Sequence, residues 1–372
     1  MAWRKLQILK VGGFLLAGAL TLLSATFVLA DEGFTMPSIV ELRKMYAGKP
    51  ETWPKPWLEK GAKYRELGPL PAVKYPENNQ PSKERADLGQ KLFDSPILSE
   101  SGQFACSSCH NPELDFGDGI KTAFGHDRQR GNRNSPHLFA VAWQENFFWD
   151  GRAKSLEEQA MGPIQNPIEM AAQRKTIENR LNKNPEWKAG FKSAYGIDKI
   201  RLEDVARALA NYERTLKPRR NKWDLVFEKQ GIDALNDDEL KGLHLFRTKA
   251  RCMSCHNGPL FTDDSFHNLG LTYYGRKFED KGRFNVTSQK EDMGRFKTPS
   301  LRGVSRTGPY MHNGLFPSLE GVINIYDAGA FHPQPTEKQA NDPLFPVTDE
   351  MLVKLNLSDD EKQQILAYLK TL

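Results

Sequence analysis

Cys106-Ser107-Ser108-Cys109-His110 and Cys252-Met253-Ser254-Cys255-His256 decide how this chain is read. The chain has four cysteines, and all four fall in these two Cys-x-x-Cys-His runs. The spacing has a chemical reason. Two thiols add across the two vinyl groups of a haem, and the adjacent histidine ligates its iron. Structural zinc fits less well, because its cysteine pairs stand about 15 to 20 residues apart, whereas these are 146 apart. A disulfide across two residues would be strained and would need neither histidine. Two covalent haem c groups are therefore expected, held by Cys106, Cys109, Cys252 and Cys255, with His110 and His256 as axial ligands.

The surroundings of the two runs repeat. Gly89-Gln90-Lys91-Leu92-Phe93 precedes the first and Gly242-Leu243-His244-Leu245-Phe246 the second. Both share Gly-x-x-Leu-Phe and then Cys-x-Ser-Cys-His-Asn. The repeat predicts two related cytochrome-c-like domains. Leu and Phe are expected to end a helix and pack on a haem face in each.

The rest of the chain predicts a mainly α fold: two haem domains with long loops and an interface between them. Arg201 to Leu216 puts Val205, Leu209, Tyr212 and Leu216 on one helical stripe. Asn236 caps a helix over 237–247, and Ser358 to Glu361 is a capping box for a last helix with Ile365, Leu366 and Leu369 inward. Turn-rich stretches lie at 125–136, 259–294 and 328–346, and no succession of alternating strands appears. The expected organisation is an export signal at 1–30, an extended proline-rich arm at 31–84, an N-terminal haem domain at 85–220 and a C-terminal one at 221–372.

Arg4 and Lys5 precede an apolar stretch from Val11 to Leu29, with Val28-Leu29-Ala30 at the cleavage position. Cleavage is the first expectation, and retention as a membrane anchor the second. Either places the remainder outside the cytoplasm, in the periplasm. Hydrophobic residues at 39% and charged residues at 27% fit a globular domain. The formal net charge of +5 falls to +2 without Arg4, Lys5 and Lys10. That leaves no electrostatic case for a nucleic-acid partner.

Further runs carry a resemblance: Gly125-His126, Arg133-Asn134-Ser135-Pro136, Phe148-Trp149-Asp150-Gly151-Arg152, Gly162-Pro163-Ile164-Gln165, Glu169-Met170 and Gly308-Pro309-Tyr310-Met311-His312-Asn313-Gly314. Over residues 85 to 372 the chain resembles the bacterial dihaem cytochrome c peroxidases, a family that includes the MauG-type enzymes. The resemblance implies reduction of hydrogen peroxide at the N-terminal haem, with electrons passed from the C-terminal haem. The donor would be a c-type cytochrome or a quinol-linked carrier, and a homodimer is a common assembly.

Residue by residue, the resemblance makes His110 the proximal ligand of the peroxidatic haem. His126 becomes the distal ligand that leaves on activation, Glu169 the catalytic acid/base and Gln159 its companion. Trp149 falls between the haems, and Asn134, Thr307 and Pro309 at an inter-domain calcium ion. One carboxylate beside the iron can take a proton from one peroxide oxygen and give it to the other.

Two positions depart from one branch or the other. The sixth ligand of the C-terminal haem is Met in peroxidases with small donor proteins. Fourteen residues past His312 this chain has Tyr326, as MauG-type enzymes do. A tyrosinate stabilises ferric iron and lowers the reduction potential relative to a thioether. Met293, Met311 and Met351 are the rival ligands. His126, in contrast, belongs to the peroxidase pattern. A second function therefore stands beside the first: oxidation of Trp or Tyr side chains on a partner protein with peroxide equivalents. A non-catalytic electron-transfer cytochrome is the third. His137, His244, His267 and His332 have no counterpart and are expected to be structural or exposed.

Overall fold

Helices form wherever an apolar stripe follows a capping residue. The computed structural model describes residues 33–372, so the export-signal segment lies outside the described residues. Eleven α-helices appear there: α1 (Ile39–Met45), α2 (Lys83–Phe93), α3 (Leu156–Gln165), α4 (Arg174–Lys183), α5 (Pro185–Tyr195), α6 (Leu202–Glu213), α7 (Lys222–Leu225), α8 (Asp237–Arg247), α9 (Phe284–Thr287), α10 (Leu319–Asp327) and α11 (Asp359–Leu369). Two short strands, β1 (Phe266–His267) and β2 (Phe296–Lys297), pair antiparallel. The fold is thus mainly helical with long connections. None of the helices in the described region is long and apolar enough to cross a membrane.

The expected helix starts are present. Asn236 Oδ1 accepts from Glu239 N–H at 2.9 Å, and Ser358 Oγ from Glu361 N–H at 3.2 Å. The predicted stripe on α6 is buried along its length: Val205, Leu209 and Tyr212, with Leu216 beyond the helix end.

The repeated Gly-x-x-Leu-Phe has a structural cause. α2 crosses α6, and α8 crosses α11, with a glycine at each crossing point. A Cβ on Gly89 would meet Ala208 O at 2.0 Å, and one on Gly242 would meet Gln364 O at 2.0 Å. Only hydrogen fits there. Four residues on, Phe93 and Phe246 are buried in two separate packing groups. Phe93 meets Tyr212 at 5.2 Å between ring centroids, and Phe246 meets Tyr368 at 5.4 Å. One continuous core runs from Leu88 to Leu216 and takes in α2 to α6. Trp223, Phe246, Phe261 and Tyr368 form an aromatic cluster of the other group. Alanine at either glycine is expected to cost about 3 kcal/mol, the range for forcing atoms into a packed interior. Urea denaturation of G89A and G242A checks this; a loss below about 0.5 kcal/mol would mean that the crossings adapt.

The segment expected to be an extended arm is extended for most of its length but begins with a helix. Ser38 and Glu41 form a reciprocal capping box that starts α1, a signal that the proline count obscured. Leu42 and Tyr46 are fully buried, and Tyr46 Oη lies 2.9 Å from His244 Nδ1.

His267 is structural, as expected, through an ion triad. Its Nδ1 lies 2.6 Å from Asp349 Oδ2 and its Nε2 3.0 Å from Asp263 Oδ2. Burial opposes its charge, but the hydrogen bonds to Asp263 and Asp349, with a further pull from the Cys255 sulfur, outweigh burial and push its pKa to about 12. The same bonds hold both aspartates below their ordinary 3.8. His267→Gln leaves two buried carboxylates without a cation, at a cost of about 3–5 kcal/mol. The sign follows from linkage. The histidine's contribution is complete below its ordinary 6.5 and is lost as pH rises toward about 12. The aspartates' contribution is lost as pH falls below 3.8. Wild type should exceed the variant most between pH 3.8 and 6.5. A urea series across pH tests this, and a pH-independent difference would contradict it.

Candidate active site

Both Cys-x-x-Cys-His runs adopt the same turn. Cys106–Ser108 and Cys252–Ser254 are single 3-10 turns. His110 N–H donates to Cys106 O at 2.9 Å, and His256 N–H to Cys252 O at 2.8 Å. The four cysteines are unbridged. All four line one mainly apolar cavity of about 770 Å³, together with His110 and His256.

The two histidines are oriented alike. His110 Nδ1 lies 3.0 Å from Phe116 O, and His256 Nδ1 3.0 Å from Phe261 O. Those carbonyls fix Nδ1 as the N–H and leave Nε2 with its lone pair. Burial lowers the pKa of both rings and keeps them neutral, although the carbonyl bonds pull the other way. Paired thiols beside a neutral, oriented imidazole in an apolar cavity are the donor set that haem c requires.

Gln159 and Glu169 line the same cavity. Gln159 projects from α3, whose N-cap Ser155 accepts from Glu158 N–H. Glu169 sits in the turn after α3. Its Oε1 accepts from Asn166 Nδ2 at 2.8 Å. Burial raises its pKa, against smaller opposing effects of Arg152 and Asn166. A carboxyl held by one oxygen, with its pKa above the ordinary range, suits proton transfer.

His126 is bonded to this turn through its backbone. Its N–H donates to Glu169 O at 2.8 Å. Gly125 lines the cavity but His126 does not. The ring turns toward Asp127, with Nε2 3.5 Å from the carboxylate, and its buried Nδ1 has no hydrogen-bond partner. Asp127 and Arg128 both hold left-handed φ, 52° and 57°. The segment is thus a tight, strained turn beside the cavity.

Trp149 lies in a loop closed by Phe147 N–H to Ala153 O at 3.0 Å. Gly151 (φ 67°) passes against Phe266, where a Cβ would meet the ring at 2.3 Å. Trp149 Nε1 donates to Asn134 O at 2.9 Å. Its ring meets His312 edge-on at 6.4 Å between centroids. Asn134, Thr307 and Pro309 all line the cavity. Asn134 Nδ2 faces the carbonyls of Ile120 and Lys121 at 3.1 and 3.4 Å, so Oδ1 is the atom left for a cation.

Tyr326, on α10, lines the cavity, and burial pushes its phenol pKa up. Met311 and Met351 line the cavity too, whereas Met293 does not.

Two cavity residues escaped the sequence reading. His312, which the sequence places in a family run but gives no role, stacks on Phe296 at 3.5 Å and 9°, and burial pushes its pKa down to about 3. It links Phe296 to Trp149. Glu213 lines the cavity from the end of α6, with Oε2 buried and unpartnered, and burial pushes it up to about 8. The signal was available: Glu213 follows Leu209 by four residues and so shares its buried face.

A family model for di-haem cytochrome c peroxidases matches residues 83–231. The chain is 34% identical over 334 residues to cytochrome-c peroxidase IdrP1 of Pseudomonas sp. strain SCT, covering 82% of this chain and 85% of that one. It is 36% identical over 305 residues to methylamine utilization protein MauG of Methylorubrum extorquens, covering 81% of each. A crystal structure of a MauG-like protein associated with microbial copper homeostasis superposes with a TM-score of 0.72 at 28% identity, covering 85% of this chain and 95% of that one. These similarities define a haem oxidoreductase. The chain belongs to the di-haem cytochrome c peroxidase family, and two haems are its cofactors.

Proposed function

We propose that this chain is a periplasmic dihaem peroxidase that reduces hydrogen peroxide to water at the haem carried by Cys106, Cys109 and His110. Electrons reach that haem from the one carried by Cys252, Cys255 and His256. The reading assigns residues 85–220 and 221–372 to the two haem domains. The observation that carries it is Glu169. A buried carboxyl of raised pKa lines the same cavity as His110.

When bound, the haems supply the electrons and the iron at which peroxide reacts. The chain's own residues handle the protons. Glu169 Oε1 is held by Asn166, so Oε2 takes the proton from the entering peroxide oxygen. The same group returns it to the oxygen that leaves as water. Two electrons from the donor and two further protons from solvent turn one peroxide into two waters. Gln159 orients the peroxide. His126, on its strained turn beside the cavity, would be the releasable ligand once its ring swings away from Asp127. Trp149 bridges the two ligand sets, and a calcium ion at Asn134, Thr307 and Pro309 holds its loop. A c-type cytochrome or quinol-linked carrier is the donor.

Tyr326 favours a second reading, in which peroxide equivalents oxidise Trp or Tyr side chains of a partner protein. A relative of comparable similarity carries the name MauG.

Absorption and EPR spectra of the oxidised and half-reduced holoprotein test the peroxidase reading. Adding one electron is expected to produce a high-spin ferric signal as His126 leaves. Two haems that stay six-coordinate and low-spin in both states would point to a plain electron-transfer cytochrome.

A further inference from the structure

The segment Pro54 to Gly68 straps the second haem-binding run, and the peroxide chemistry makes no use of it. Its bonds are numerous and specific. Glu59 N–H donates to Ser254 Oγ at 3.0 Å. Arg65 N–H donates to Asn257 Oδ1 at 3.1 Å, and Asn257 Nδ2 donates to Lys63 O at 2.8 Å. Gly258 N–H donates to Arg65 O at 3.0 Å, and Trp57 N–H to Arg247 O at 2.8 Å. The hydrogen bonds of residues 105–110, by contrast, stay within 105–116 among the described residues.

The strap's outer face is of one sign. Lys55, Lys60, Lys63 and Arg65 are exposed. Its two acids are half-buried and turned inward: Glu59 pairs with Arg251, and Glu66 with the fully buried Arg247. Among the cations stand three exposed apolar side chains, Trp57 at 41%, Leu58 at 38% and Tyr64 at 38%. An aromatic centre with a charged rim is the composition of a protein-recognition patch.

We propose that this strap is the docking surface for an electron-carrier protein whose own redox centre is ringed by carboxylates. The inference rests on the reading of the second haem as the point of electron entry. Cys252 and Cys255 would hold that haem, and the strap is bonded to Arg247, Ser254, Asn257 and Gly258 around them. A carrier on the strap would therefore sit against the run that holds the haem. The exposed lysines steer an acidic partner from solution, and the aromatic side chains supply the contact once it arrives. An anionic membrane surface would also attract lysines and a tryptophan. The strap's bonding to the haem-binding run favours the redox partner, because a membrane surface needs no such proximity.

Stopped-flow reduction of the oxidised holoprotein tests the proposal without peroxide. The reductants are a pre-reduced small acidic c-type cytochrome, a pre-reduced basic one and a small uncharged dye. The rate with the acidic cytochrome is expected to fall with rising ionic strength. At low salt it should fall at least tenfold in K55E/K60E/K63E and severalfold in W57A. Reduction by the dye should be unchanged, which shows that the variants are folded and carry haem. The proposal is overturned by an acidic cytochrome that reacts no faster than the basic one, or by a triple variant that reacts as wild type does. It is equally overturned if the variant loses only its binding to anionic phospholipid vesicles. Absence of dye-driven peroxide turnover would sink the peroxidase reading alone and leave the docking measurement standing.

Discussion

Glu169→Gln is expected to lower peroxide turnover by about 10²- to 10⁴-fold, the range that a positioned acid/base contributes. The substitution is nearly isosteric. Glutamine keeps an oxygen for Asn166 Nδ2, now 2.8 Å from Oε1, and loses only the capacity to carry a proton. Stability should not suffer at neutral pH. A carboxyl whose folded pKa is raised contributes stability below its ordinary 4.5 and loses it as pH rises through the folded value. The neutral amide escapes that loss. The pH profile separates chemistry from structure. In wild type the basic form of Glu169 is needed, so turnover should climb with pH through a value above the ordinary carboxylate range. The residual activity of the variant should lack that limb. Steady-state peroxide consumption, with spectra to show unchanged haem ligation, decides it. Turnover within about threefold of wild type would remove Glu169 from the mechanism.

What the sequence made legible was local. Caps, stripes and the Cys-x-x-Cys-His turns depend on neighbours within a few residues, so α6, α8 and α11 and the two histidine orientations were within reach. The glycines of Gly-x-x-Leu-Phe were read as part of a haem-packing repeat. Their actual work is to let α6 and α11 approach to backbone contact, and those helices are far away in sequence. Glu169 illustrates the same limit. Its type and position follow from resemblance, but its burial is set by how the turn after α3 closes over the cavity. His126 shows it more sharply. Local sequence places it on a turn. The direction of its ring, toward Asp127 at 3.5 Å, goes with two successive left-handed residues, a conformation that Asp tolerates but that nothing local signals for Arg128.

Tyr326→Met is expected to raise the midpoint potential of the C-terminal haem by hundreds of millivolts, out of the roughly 0.8 V that axial ligation spans. The argument starts from the phenol itself. Burial pushes its pKa further up, so an isolated Tyr326 would stay neutral. Only a cation at its oxygen would make it a phenolate, and the ferric iron of a haem held by His256 would be such a cation. Methionine is smaller but flexible enough to fill much of the space, while a soft neutral thioether replaces a hard anion and favours ferrous iron. Met311 and Met351 share the cavity and serve as controls. M311L and M351L should leave the potential within about 30 mV, about a threefold change in a one-electron equilibrium constant. Spectroelectrochemistry provides the potential, and loss of a phenolate-to-iron charge-transfer band in the tyrosine variant provides the ligand. A wild type without that band, and a shift in M351L instead, would transfer the role to Met351. The same variant separates the two functional readings. A higher potential eases electron entry from a carrier, so peroxide turnover should persist or rise. Oxidation of a partner's side chains depends on a haem that holds oxidising equivalents cheaply, and the thioether should abolish it.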